Sequence, residues 1–249
     1  LTNKFESFNK IGKQSGILYY IPAWCTSKID PVTGFINRFY IKYENLDKSK
    51  EFVNKIEDIR YNSREDLFEF DIDYGKFTDK LNDTRNKWTL CSNGERIYTH
   101  KNNTGEWIDN RIQLTKEFKK LFEEYDVDLN NIKPEILQKS NIEFFKGNNE
   151  NLGFMQLFKL MVQMRNSLTG KDEDNLISPV KNRNGKFFDT KDQIEGLPKD
   201  ADANGAYNIA RKGLMLVKQM KDTEDENLNK IKYNITEKEW LNYLQNRGM

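Results

Sequence analysis

Residues 200–207 read Asp-Ala-Asp-Ala-Asn-Gly-Ala-Tyr, and the organisation of the chain turns on them. Asp200 and Asp202 stand directly before Asn204 and Gly205. An apolar-periodic run follows at Ala206, Ile209, Ala210, Gly213, Leu214 and Val217. This spacing predicts a helix over 202–220, with carboxylate and amide side chains available to the free N–H groups of its first turn. A carboxylate at such a junction is carried on a rigid element and points outward. That suits a ligand for Mg²⁺, which takes a few carboxylates and keeps several waters. Read alone, the stretch is explained as simply by Asp202 being an N-cap.

Working outward, the composition narrows the classes. The 249 residues are enough for one large domain or two small ones. Hydrophobic residues make up 37% and charged residues 32%, so a core is possible beneath an unusually charged surface. The net charge is only +1, so any nucleic-acid contact must come from local clusters and not from a global field. Cys25 and Cys91 lie far apart with no CxxC pattern, which argues against a zinc ribbon or a disulfide framework and fits a reducing cytosol. With His100 the only histidine, a His-based zinc site or a Ser-His-Asp triad is disfavoured, and His100 reads as incidental. No apolar run approaches membrane-spanning length and no signal peptide is visible. A start at Leu1 reads as a piece of a longer protein.

Local patterns predict the elements. Residues 17–21, closed by Pro22, read as a buried strand, and Pro31 to Gly34 as a turn. Residues 48–58 read as a helix with Phe52, Ile56 and Ile59 on one face. Residues 66–73 alternate like a strand with one buried face. Residues 87–99 hold two β-prone runs around Asn93-Gly94, a strong hairpin signal. Helices are expected at 116–125 and 152–166, the second with Phe154, Phe158, Met161 and Val162 as its buried stripe and Arg165 at its end. Thr236 and Glu239 form a capping box for a last helix whose Trp240, Leu241 and Leu244 pack back on the body. Residues 221–230 read as a solvated charged stretch. Lys10, Lys13, Lys116, Lys119 and Lys120 could line a strand path or simply be solvated. Trp24, Trp88 and Trp107 could stack on bases, with burial in the core as the default.

Several long motifs occur in a fixed order: LTNKFESFNKIGKQSGILYYIPAW with TSKIDPVTGF (1–35), MVQMRNSLTG (161–170), LISPVKNRNGKFFD (176–189) and DADANGAYNIARKGL (200–214). Together they resemble the C-terminal part of type V-A CRISPR effectors, the RNA-guided DNA endonucleases; residues 36–150 match more loosely. The resemblance implies an α+β chain: part of an RNase H-like (RuvC) α/β domain interrupted by an inserted α+β Nuc domain. Residues 1–25 would be a RuvC segment, 26–199 Nuc, and 200–249 the closing RuvC segment with its last motif. By match to the family motifs, Asp202 is a catalytic metal ligand, Arg165 assists cleavage, and Asp174 supports it by orienting Arg165. Asp200 caps or sits behind the ligand. The cofactor would be Mg²⁺, with two ions clamping the attacking water and the leaving oxygen. The family's other two acidic ligands belong to motifs preceding Leu1, so this piece alone is expected to be inactive and monomeric. Expected partners are a CRISPR guide RNA and target DNA, with no membrane, in a prokaryotic cytoplasm. The guide-processing activity of the family is not expected here. A different class of reading is a non-catalytic module that binds single-stranded nucleic acid. A transposon-type nuclease relative would usually carry the CxxC zinc ribbon that this chain lacks.

Overall fold

The computed structural model describes residues 6–7, 17–18, 21–24, 26–78, 85–102, 104–148, 151–168, 174–221 and 235–247. In chain order the strands are β1 (Glu6–Ser7), β2 (Ile17–Leu18), β3 (Asp58–Asn62), β4 (Leu67–Asp73), β5 (Lys87–Cys91), β6 (Glu95–Lys101), β7 (Trp107–Gln113), β8 (Arg165–Ser167), β9 (Asp174–Lys181) and β10 (Phe187–Asp189). The helices are α1 (Leu46–Lys55), α2 (Leu114–Glu124), α3 (Ile132–Gln138), α4 (Ile142–Lys146), α5 (Phe154–Val162), α6 (Ala201–Lys221) and α7 (Glu237–Arg247). All strand pairs are antiparallel: β3-β4-β5, β10-β9-β8, β6-β7 and β1-β2. Helices therefore sit beside antiparallel sheets, an α+β architecture. Among the described residues no helix is long and apolar enough to cross a membrane.

The core forms around α5, because seven of its nine residues are apolar and every one of those is buried. Phe70 of β4 meets Phe158 and Phe118 at ring-centroid distances of 5.5 and 5.3 Å. Phe158 also contacts Phe39 at 5.6 Å and Phe52 at 5.1 Å, so one ring joins α5, α1, β4 and the segment before α1. Such a hub leaves a large void when truncated. Phe158→Ala is expected to lower unfolding stability by about 3–5 kcal/mol, measured as a shift of the urea midpoint at constant m-value. A loss under about 1 kcal/mol would mean that the site collapses freely and is not the centre of the core.

Several elements depart from the sequence expectation for identifiable reasons. The first helix runs Leu46–Lys55 instead of 48–58, because the Asn45 side chain accepts from the Lys48 N–H and starts it early. Ile56 ends it in extended geometry, and Ile59 belongs to β3; both are buried, but not from one helical face. β4 follows its alternation, yet both its faces are covered. Phe68 and Phe70 meet rings of α2 and α5, and Ile72 on the same face is buried. On the other side Glu69 is buried and held by Arg60 at 2.8 Å and by Lys181 of β9 at 3.3 Å. Only Ile17–Leu18 of the 17–21 run is a described strand; Ile21 lies outside it.

The Asn93-Gly94 hairpin does not form. β5 pairs with β4, and β6 pairs with β7 in register from Glu95 opposite Gln113 to Lys101 opposite Trp107. Gly94 takes the positive φ of 71° that its position predicts, but the chain crosses there between sheets. Asn93 donates to the Ser178 carbonyl at 3.1 Å, and the buried Arg96 is drawn toward the end of α5. The 31–34 turn is as expected: Gly34 has φ 72°, and Asp30 accepts from the backbone N–H groups of Val32 and Thr33. The capping box forms too, with Glu239 accepting from the Thr236 N–H at 2.8 Å, and Trp240, Leu241 and Leu244 are buried. Of residues 221–230, Lys221 ends α6 and the others lie outside the described residues.

Candidate active site

The α6 helix starts where the acidic motif predicts, but the cap is Asp200. Its carboxylate accepts from the Ala203 N–H at 2.6 Å, and its carbonyl from the Asn204 N–H at 3.0 Å. Asp202 is thereby left in the first turn, where the helix dipole favours a negative charge, with 83% of its side chain exposed. The residues that anchor α6 are polar. Asn204, Asn208 and Lys212 follow one another at a four-residue spacing and are all buried. Asn204 donates to the carbonyls of Ser27 and Ile29, Asn208 to that of Thr26, and Lys212 to those of Pro22 and Trp24. Pro22, Trp24, Thr26, Ser27 and Ile29 lie outside the named strands and helices, and this row supplies donors to their carbonyls. The apolar positions by which the helix was recognised do not form its buried face: Ala206 and Ala210 are exposed, Leu214 is 64% exposed and Val217 52%.

Arg165 does not end a helix. The α5 helix stops at Val162, and Arg165 opens β8. Two buried groups set that path. Arg96 donates to the carbonyls of Gln163 at 3.0 Å and Met161 at 3.5 Å, at the end of α5 where a cation is favoured. Burial pushes its guanidinium down to about 10, which still leaves it charged at neutral pH. Asn166, also buried, accepts from the Ile97 N–H and donates to the Glu95 carbonyl. β8 is thus clamped between α5 and β6.

β8 pairs with β9 so that Arg165 lies opposite Leu176 and Ser167 opposite Asp174. Arg165 and Asp174 are then diagonal neighbours on one face, within reach of long side chains. The fork closes with Arg165 Nε on Asp174 Oδ1 at 2.7 Å and Nη2 on Oδ2 at 2.8 Å. Nη2 also reaches Asp202 Oδ1 at 3.2 Å. Hydrogen bonding to Asp174, then the Coulomb attraction of both carboxylates, raises the Arg165 pKa above its ordinary value. Among the described residues, Nη1 of Arg165 and Oδ2 of Asp202 make no hydrogen bond. The structure therefore brings the three sequence-predicted site residues together, with donor and acceptor capacity still turned outward.

A cleft of about 290 Å³ opens beside Arg165. Lys28, Lys159 and Arg165 line it with no carboxylate among the lining residues, over Ile41, Val162 and Met164; Tyr40 stands 85% exposed at its wall. Three cations around an apolar floor with an exposed ring suit a polyanion that also carries aromatic bases. Residues 29–192 match the model of the family described as NUC, nuclease domain. This chain belongs to that nuclease family. The matched span contains Arg165 and Asp174 but not Asp202, so the nuclease domain receives Asp202 from the helix that follows it.

The donor set meets the Mg²⁺ expectation only in part. Asp202 offers a hard, exposed carboxylate oxygen, while Asp174 has both oxygens engaged by Arg165. Among the described residues no three or more His, Cys, Asp or Glu side chains come together as a metal-holding group. One carboxylate fits as a contributor to a site and does not complete one.

Trp88 is buried as expected, but Trp24 and Trp107 are 39% and 61% exposed; Trp24 has Lys212 over its ring at 4.3 Å. Lys119 pairs with Asp66, and Lys120 donates to Asn151, so neither is a freely solvated charge. Lys10, Lys13 and Cys25 lie outside the described residues. Cys91 is a free, buried cysteine whose burial pushes its thiol up to about 12. Sequence reading missed Arg96, Asn166, Lys28, Tyr40 and Lys159. None of these carried a local signal, because each is set by partners distant in the sequence, as Arg96 is by the carbonyls of Met161 and Gln163.

Proposed function

We propose that this chain forms the Nuc domain and closing RuvC segment of an RNA-guided DNA endonuclease, with Arg165, Asp174 and Asp202 at the edge where the phosphodiester is cut. In this reading residues 1–25 and 200–249 belong to the RuvC domain and 26–199 to Nuc. What carries it is the convergence of Arg165 on Asp174 and Asp202, from three separate family-like motifs, beside a cationic cleft in a nuclease domain. Asp174 fixes the guanidinium plane, which leaves the Nη1 end to donate to a phosphate oxygen. A guanidinium matches that geometry better than an ammonium does. Lys28 and Lys159 would hold neighbouring phosphates, and Tyr40 would meet a base. Asp202 would serve as one ligand to the divalent ions, which supply charge neutralisation and water activation when bound. The remaining ligands and the guide RNA would come from elsewhere in the protein.

The purified 249-residue chain is accordingly expected to show no divalent-dependent cutting of single-stranded DNA, because one carboxylate does not hold a metal pair. Robust Mg²⁺-dependent cleavage by the pure chain, lost in Asp202→Ala, would show instead that its own residues complete the site. A non-catalytic strand-binding platform is the second reading, favoured by the cleft; it expects binding without any role for Asp202.

A further inference from the structure

A second cavity, of about 510 Å³, lies over the β6–β7 ribbon, between that ribbon and α2. Tyr98 and His100 stand on one face of β6, with Asn110 opposite Tyr98 and Ile108 opposite His100 on β7. Lys101 and Lys120 also line it. β6 is the strand whose other end anchors Asn166 beside Arg165, roughly 10 Å away at about 3.4 Å per residue. The cavity shares none of its lining with the cleft at Arg165.

We propose that this cavity accepts an unstacked base of a single-stranded nucleic acid. The Tyr98 and His100 rings are stacked, with centroids 4.8 Å apart and planes 14° from parallel. A third flat ring extends such a stack, and stacking on aromatic side chains is how single-stranded bases are held. Asn110, exposed on the same face, offers an amide donor and acceptor in the arrangement that base edges present. Lys101 and Lys120 supply positive charge for the phosphates flanking that base, against the single carboxylate of Glu117 in the lining. Lys120 also holds Asn151 in place at 2.5 Å. A free nucleotide carries the same base chemistry; the two lysines favour a strand with phosphates on both sides.

His100 is the only histidine of the sequence, so its imidazole C–H signals in an NMR spectrum need no assignment. The full 249-residue chain is titrated, without divalent ions, with a twelve-nucleotide single-stranded DNA, with an abasic strand of equal length, and with deoxyadenosine monophosphate. The normal strand is expected to move the His100 signals; the abasic strand, binding through phosphates alone, is expected to leave them in place. In a parallel anisotropy measurement the surface substitution Asn110→Ala is expected to weaken the normal strand about tenfold and the abasic strand not at all. Unmoved His100 signals at saturating normal strand would overturn the proposal, as would equal movement by the abasic strand. Movement by the mononucleotide at the same concentrations as the strand would overturn the polymer as the source. No cleavage enters these readouts, so they stand or fall separately from the chemistry assigned to Arg165.

Discussion

If the chain is part of an RNA-guided endonuclease as proposed, Asp202→Ala in the intact protein is expected to remove cleavage of both DNA strands while guide-directed binding stays within about twofold of wild type. The expectation comes from position. Asp202 is not the cap, since Asp200 holds that role, and its side chain is 83% exposed and touches Arg165 at the surface instead of filling the core. Its loss therefore leaves no cavity and no unsatisfied buried group, and α6 stays anchored by Asn204, Asn208 and Lys212. A stable, folded protein without cleavage would place Asp202 in the chemistry. Retained cleavage would reduce it to a carboxylate that pairs with Arg165, and lost binding would make it part of the strand path. Asp202→Asn keeps the hydrogen bond to Arg165 but not the charge, and is expected to be nearly as inactive as the alanine variant.

Arg165→Ala is expected to slow the chemical step by about 10²–10³-fold, the usual cost of removing one preorganised donor from developing phosphate charge. The larger effect should fall on the strand that must bend furthest to reach the site. Arg165→Lys should recover only part of the rate, because lysine keeps the charge and loses the two-pronged fork. Asp174→Ala should behave as a milder copy of Arg165→Ala, since it frees a guanidinium that two hydrogen bonds of 2.7 and 2.8 Å now hold in plane. If Asp174→Ala were as severe as Asp202→Ala, Asp174 would be acting on the substrate or the ions directly and not through Arg165.

The parts legible in the sequence were those where one local force dominates. The α5 helix is apolar nearly all round and has nowhere to go but the core. The Thr236–Glu239 box and the Pro31–Gly34 turn are closed by side chains within three residues. What stayed hidden depends on partners far along the chain. The Asn93-Gly94 dipeptide has strong turn chemistry, yet Arg96 finds the carbonyls of Met161 and Gln163, 65 and 67 residues away, and β6 leaves β5 for β7. On α6 Leu214 and Val217 lie outward, while Asn204, Asn208 and Lys212 lie inward. The polar row serves the carbonyls of Pro22, Trp24, Thr26, Ser27 and Ile29, a pairing that a one-dimensional pattern cannot display. The site was legible as three motifs but not as a geometry. Arg165 was placed at a helix end, whereas its meeting with Asp174 depends on the β8–β9 register and its meeting with Asp202 spans 37 residues.

The most direct measurement is single-turnover cleavage of each labelled strand by the intact enzyme, with wild type, Arg165→Ala and Asp202→Ala compared across a Mg²⁺ titration and binding followed in parallel. Asp202→Ala should stay inactive at every Mg²⁺ concentration. Arg165→Ala should reach a plateau that remains about 10²–10³-fold below wild type, because a phosphate clamp is not replaced by more metal. Wild-type rates for Asp202→Ala, or full recovery of Arg165→Ala at high Mg²⁺, would contradict the division of labour between the carboxylate and the guanidinium.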